Sequence, residues 1–203
     1  RWEKMGVHIL GLNIDLDSES IKAGVRFQTE ARLERARRIG ERLEKKGILN
    51  AFDGASGLSK GAYIGRPHFA RFLVENGNAK SIKDAFKYFM GDGKVGDVRQ
   101  HWADLPQIVQ WIRDSNGIPV LAHPLKYKLT ATRLKRLLTC FIQAGGQGME
   151  VISGQQLPQT TAAMAHLCET MKLLASCGSD FHEPGRPWAE LGSVTKLPSR
   201  LVP

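Results

Sequence analysis

After Gly117 the chain alternates short apolar runs with amphipathic stretches, and this rhythm constrains its fold more than any other feature. Residues 118–122 (IPVLA), 149–152 and 173–177 read as strands, and residues 132–144 and 160–171 between them as helices. Strand–helix–strand order argues for parallel strands covered by helices, hence an α/β sheet or barrel. Near the start, residues 5–15 (MGVHILGLNID) form an apolar, β-branched run ending in Asn and Asp, which reads as a buried strand and a turn.

Between these parts the pattern is helical. Asp17-Ser18-Glu19-Ser20 offers N-cap chemistry, and a long helical pattern runs from there to Lys46. Its apolar stripe is Val25, Leu33, Ala36, Ile39 and Leu43, and Gly47 supplies the stop. Shorter helices are expected at 69–76, at 81–90 behind the near capping box Ser81-x-x-Asp84, and at 104–116. The predicted organisation is an α/β core of residues 1–16 and 117–203, interrupted by a helical insertion, 17–116.

The 203 residues carry a formal net charge of +9, which favours anionic partners such as phosphates or nucleic acid. No apolar run approaches the roughly 18 to 20 residues that span a bilayer, so a membrane protein is not expected; no protein partner is predicted. Cys140, Cys168 and Cys177 have no metal-ligand spacing and read as reduced thiols of a cytoplasmic protein. The chain opens on Arg1 without an initiator Met and enters a strand pattern almost at once, which suggests further sequence upstream.

Functional residues of α/β barrels gather at the carboxyl ends of strands. Here one predicted strand runs into His123-Pro124 and another into Gly178-Ser179-Asp180-Phe181-His182, while His8 lies within the first. On extended backbone Asp180 and His182 would share one side, so a carboxylate and an imidazole could converge on a metal. Mixed nitrogen and oxygen donors suit manganese, zinc or iron better than calcium. The plainer alternative makes His123 a loop histidine before a proline turn. Glu150, in Met149-Glu150-Val151, is a candidate supporting carboxylate. His101 and His166 are read as structural.

Three segments in this order, Val7-His8-Ile9-Leu10-Gly11-Leu12, Leu121-Ala122-His123-Pro124 and Gly178-Ser179-Asp180-Phe181-His182, resemble the polymerase and histidinol phosphatase (PHP) family of phosphoesterases. Arg66-Pro67-His68-Phe69-Ala70 narrows the resemblance to the branch of nucleoside 3′,5′-bisphosphate phosphatases and 5′-to-3′ exoribonucleases. The resemblance implies a distorted (β/α)7 TIM-like barrel, N-terminally incomplete in this chain. It further implies up to three divalent metal ions, usually manganese, with zinc, iron or magnesium as alternatives. His8, His123, Asp180 and His182 match metal ligands, with further ligands expected upstream of Arg1. Arg66 and His68 match the insertion motif that faces the substrate phosphate, where His68 would either bind the phosphate or donate a proton. Trp188 matches a recurrent structural position. The stretch Lys94-Val95-Gly96-Asp97-Val98 departs from the Lys-Pro-Ala-Tyr-Val-like stretch of relatives.

The expected activity is metal-dependent hydrolysis of nucleotide phosphate esters or of RNA 5′ ends. A histidinol-phosphate-type phosphatase, a silent nucleic-acid-binding fragment and an amidohydrolase on a related barrel are the alternatives. The basic residues of the long helix (Arg32, Arg35, Arg37, Arg38, Arg42, Lys45 and Lys46) alternate with glutamates, so ion pairs along the helix explain them as readily as RNA does. The cluster Lys126, Lys128, Arg133, Lys135 and Arg136 follows His123 and is better placed to attract a polyanion.

Overall fold

The computed structural model describes residues 1–61, 63–99, 102–181 and 190–201. The chain divides into two compact units, one of residues 1–24 and 103–203 and one of residues 25–102.

The first unit is an α/β layer. Strands β1 (Ile9–Leu12), β2 (Ile118–Leu121), β3 (Gly148–Ser153) and β4 (Leu174–Gly178) form one mixed sheet in the order β1-β2-β3-β4. β2, β3 and β4 run parallel, as the strand–helix alternation predicts, whereas β1 is antiparallel to β2 with Ile9 opposite Leu121 and Leu12 opposite Ile118. Reversal of β1 brings its first residues to the carboxyl ends of the other three strands, and this sets the geometry of the site.

Helices α5 (Leu105–Asp114), α6 (Ala131–Gln143) and α7 (Pro158–Thr170) belong to this unit. α5 and α6 start where side chains satisfy their first backbone donors: Asp104 Oδ1 accepts from the Gln107 amide at 3.0 Å and Thr130 Oγ1 from the Arg133 amide at 3.4 Å. Leu121, Leu137, Leu138, Phe141, Met149, Ile152 and Cys168 make the unit's core.

The helical unit takes in most of α1 (Glu19–Glu44), then α2 (Ala51–Ser59), α3 (Arg66–Glu75) and α4 (Ile82–Ala85), which runs on as a π-helical turn, Phe86–Met90. Ala36, Ile39, Leu43, Phe69, Ala70, Leu73, Ala85 and Met90 form its core. Gly54 admits the Phe72 ring so closely that a Cβ there would lie 2.2 Å from it, which is how α2 and α3 approach. The Ser81 cap is present, with its hydroxyl accepting from the Asp84 amide at 3.1 Å.

Two expectations change. The apolar run 5–15 is a strand only over Ile9–Leu12, because its partner β2 begins at Ile118 and offers no backbone beyond Leu12. The apolar stripe of α1 is buried in its second half only: Val25 is 53% and Leu33 38% exposed, while Ile39 and Leu43 are enclosed. Among the described residues no helix is long and apolar enough to cross a membrane.

Candidate functional site

His8 and His123 meet at the rim where β2 ends and β1 begins. His8 does not lie within β1 but immediately precedes it. Its carbonyl accepts from the Ala122 amide at 3.0 Å, which sets it against the last residues of β2. There His8 Nδ1 and His123 Nε2 are 3.0 Å apart, with the rings edge to face at 4.7 Å between centroids.

Glu150 holds His123 in this place. His123 leaves β2 in the left-handed region, at φ 31° and ψ 56°, a conformation that costs a residue with a side chain on the order of 1–3 kcal/mol and needs outside support. Its amide donates to Glu150 Oε2 at 2.6 Å, and the Ser153 hydroxyl donates to the same oxygen at 2.8 Å. Glu150 is only 7% exposed, in the interior of β3. On the neighbouring strand Gly178 leaves room for it, since a Cβ there would sit 2.7 Å from Glu150 Oε1.

A single 3-10 turn, Pro124–Tyr127, carries two further residues back over the rim. The Tyr127 hydroxyl accepts from the His8 amide at 2.8 Å and lies 3.4 Å from the His8 carbonyl, while its ring meets His123 at 5.3 Å between centroids. Burial pushes the Tyr127 phenol up to about 12, and the carboxylates of Glu150 and Asp180 add to the effect. Lys126 donates to Asp180 Oδ2. Tyr127 gave no signal in the sequence beyond its position four residues after His123. Glu150 was legible as a candidate supporting carboxylate because it is an acidic residue inside an apolar strand pattern, and burial of a carboxylate demands partners.

Asp180 has φ 52°, so the backbone after β4 is not extended there and the alternation argument does not govern which way it points. His182 and Trp188, like His101, lie outside the described residues. Among the described residues no group of three or more His, Cys, Asp and Glu side chains is arranged to hold a metal. Two converging imidazoles nevertheless suit a transition metal, and His123 Nδ1 is buried without a hydrogen-bond partner. The donor chemistry fits such an ion, and the ligand number does not reach the four of a closed site.

In the helical unit Arg66, Pro67 and His68 occupy the first turn of α3. His68 Nδ1 accepts from the Gly65 amide at 3.0 Å, so its ring proton is assigned to Nε2. Arg66 Nη1 donates to the Met90 carbonyl at 3.2 Å and lies 3.6 Å from the exposed Asp92 carboxylate. The helix thus starts three residues before the expected 69, at Arg66, and leaves Nε2 of His68 as a donor.

The basic clusters are less open than the sequence suggests. In the α/β unit Lys126 faces Asp180, while Arg133 and Arg136 reach Glu3 at 3.1 and 2.7 Å. Three of the five cations following His123 thus have carboxylate partners. On α1, Arg38 pairs with Glu34 at 2.7 Å, the intrahelical pattern expected of interleaved charges. His166 sits exposed on α7.

The α/β sheet thus brings the imidazoles of His8 and His123 together beside the Glu150 carboxylate. No protein-family model matches the chain. The chain is 45% identical over 198 residues to the 5′-3′ exoribonuclease Rnm of Escherichia coli K12, covering 98% of this chain and 67% of that protein. It is 40% identical over 198 residues to the 3′,5′-nucleoside bisphosphate phosphatase of Chromobacterium violaceum, covering 97% and 70%. Among solved structures, an amidohydrolase from Chromobacterium violaceum with bound sulfate and no metal matches with a TM-score of 0.80 at 40% identity, over 98% of this chain and 69% of that one. A Bifidobacterium adolescentis protein assigned as a metal-dependent phosphoesterase matches with a TM-score of 0.73 at 26% identity, over 94% and 67%. The chain belongs to the PHP family of phosphoesterases, on the branch of exoribonucleases and nucleoside bisphosphate phosphatases. It spans about two thirds of the length of these relatives.

Proposed function

We propose that this protein hydrolyses phosphate esters of nucleotides, as a nucleoside 3′,5′-bisphosphate phosphatase, a 5′-to-3′ exoribonuclease, or both. The observation that carries this reading is the convergence of His8 and His123, 3.0 Å apart, at the strand ends of a family member. We further assign His8, His123, Asp180 and His182 to divalent metal ions, with manganese first among them, and infer a distorted (β/α)7 barrel of which β1–β4 form one arc. A divalent metal, when bound, acidifies the attacking water and offsets charge on the leaving oxygen.

The chain's own residues supply the rest. Glu150 and Tyr127 fix the backbones of His123 and His8, so both imidazoles are oriented before any substrate arrives. In the helical unit, which we read as the substrate-binding part, Arg66 offers a planar fork of donors to a terminal phosphate. His68 adds its Nε2–H as a hydrogen-bond donor. Protonating Nδ1 would break the bond to Gly65, so phosphate binding suits the resting ring better than proton donation. Three free thiols agree with action in the cytoplasm.

The test is turnover in manganese of adenosine 3′,5′-bisphosphate, a short 5′-phosphorylated RNA, histidinol phosphate and an amide substrate. Release of phosphate or of 5′ nucleotides, lost with a chelator and lowered at least about a hundredfold by His123→Ala, is expected. Turnover confined to histidinol phosphate or to the amide would overturn the nucleotide reading, and salt-sensitive RNA binding without product would favour a silent binding module.

A further inference from the structure

The helical unit holds a cation between two aromatic rings that its core does not use. The Arg32 guanidinium lies over the Tyr63 ring at 4.9 Å and over the Trp102 ring at 5.2 Å. Thr29, on the preceding turn of α1, meets the Tyr63 hydroxyl at 3.4 Å and so steadies the far end of that ring. Arg32 is exposed, Trp102 half-buried and Tyr63 53% exposed. A stack this open contributes little to stability, so the needs of the fold do not account for it.

A pair of guanidiniums lies beside it. Arg35, one turn from Arg32 on the same face of α1, donates Nε to the Val98 carbonyl at 2.8 Å. Burial holds its guanidinium below the ordinary value, the charge of Arg66 lowers it further, and the Asp97 carboxylate works against both. Backbone carbonyls, of Val98 for Arg35 and Met90 for Arg66, fix both in place. An anion would meet both guanidiniums already oriented by these bonds, with the exposed Asp92 carboxylate, 3.6 Å from Arg66, as its competitor. Three residues of helix rise about 4.5 Å, which leaves the aromatic stack within one nucleotide's reach of that anion.

We propose that Tyr63, Arg32 and Trp102 form a nucleobase-stacking subsite for a nucleotide whose phosphate is held by Arg35 and Arg66. The proposal rests on the phosphoesterase reading above and adds base recognition to it. Aromatic and guanidinium faces accept any base, because every base has a π-face. The subsite therefore grips the base without reading its identity, and purines, with the larger face, bind more tightly than pyrimidines.

Isothermal titration of the protein with adenosine 3′,5′-bisphosphate, and with base-free ribose 5-phosphate and inorganic phosphate, separates the two parts. Tyr63→Ala and Trp102→Leu are each expected to weaken the bisphosphate roughly tenfold or more, with ribose 5-phosphate and inorganic phosphate unaffected. Tyr63→Phe keeps the ring and is expected to keep bisphosphate affinity, and unchanged ribose 5-phosphate binding by Tyr63→Ala shows that this variant is folded. Wild-type bisphosphate affinity in both Tyr63→Ala and Trp102→Leu, together with its loss in Arg66→Ala, would overturn the stacking subsite and leave the phosphoesterase reading standing. Equal weakening of all three compounds by Tyr63→Ala would likewise overturn it. Failure of the wild-type protein to bind any of the three would overturn both.

Discussion

The amide of His123 donates to Glu150 Oε2 at 2.6 Å, and this one bond ties the end of β2 to the interior of β3. Because His123 is in the left-handed region at φ 31°, the carboxylate does more than satisfy a donor. It stabilises a backbone conformation that an unconstrained histidine avoids. Glu150→Ala strips an acceptor from both the His123 amide and the Ser153 hydroxyl and is expected to cost about 2–3 kcal/mol. Glu150→Gln keeps one oxygen and should cost about half of that. Urea denaturation of the three proteins measures the series, and equal stability of wild type and Glu150→Ala would contradict it.

Gly178→Ala attacks the same carboxylate from β4. The new methyl would lie 2.7 Å from Glu150 Oε1, and the carboxylate cannot swing aside without leaving His123 and Ser153. A loss of about 1–3 kcal/mol is expected. Coupling provides the sharper test: in the double variant with Glu150→Ala the clash has no partner, so the two costs should fall well short of additive. Strict additivity would show that the methyl is accommodated elsewhere.

The parallel part of the fold was legible because its strands and helices differ in hydrophobic period and are each bounded by turn residues. Residues 118–178 therefore resolved into β2, α6, β3, α7 and β4 within a residue or two of their observed ends. β1 was less legible, since an apolar run records only that a segment tolerates burial, whereas strand length depends on where a partner starts. The reversed direction of β1 left no mark in its own composition. α1 failed in a related way. Its stripe is continuous in sequence, but the nine-residue α2 folds back on its second half, where Phe52 comes against Gly40, and leaves Val25 exposed.

At the candidate site the sequence marked histidines that the fold brings together and not what orients them. His123 could be picked out as a histidine at a strand end, whereas His8 was read within its strand and in fact precedes it. Glu150 could be named as a supporting carboxylate but not what it supports, and Tyr127 could not be named, because they act on backbone atoms of residues 27 apart and 119 apart in the chain. Such pairings depend on strand register, which spacing along the chain does not encode. The cations following His123 were over-read for the same reason, since Glu3, which binds two of them, lies 130 residues from Arg133.

Tyr127→Phe removes the hydroxyl that accepts from the His8 amide and leaves the ring against His123. The expected cost is about 1 kcal/mol, with a larger effect on the placement of His8 than on the fold. The imidazole signals of His8 and His123 in a proton–nitrogen spectrum should both shift, while those of His166 on α7 should not. Unchanged His8 signals would remove Tyr127 from the supports of the site.

His68→Ala tests the start of α3. Nδ1 of His68 accepts from the Gly65 amide at 3.0 Å, so its loss exposes a helix-start donor at a cost of about 0.5–2 kcal/mol. His68→Gln, which can return an acceptor to Gly65, should recover much of the stability. If both variants bind phosphate as the wild type does, His68 serves only the helix. A loss of phosphate affinity in His68→Gln without loss of stability would assign Nε2 to the substrate.

The thiols give a prediction in which pH carries the sign. Cys168 is fully enclosed in α7, its Sγ donating to the Leu173 carbonyl at 3.1 Å, and burial pushes its thiol up to about 11, with the charge of Glu169 adding to the shift. The folded protein therefore keeps a proton that the unfolded chain releases near its ordinary value of 9. Between those two values the unfolded state binds fewer protons, so stability falls as pH rises. Below pH 9 the contribution is complete. Cys168→Ala should flatten this alkaline loss, and a thiol reagent at neutral pH should label exposed Cys140 and Cys177 rapidly while Cys168 reacts only on unfolding. Rapid labelling of three thiols in the folded protein would show that α7 does not enclose Cys168.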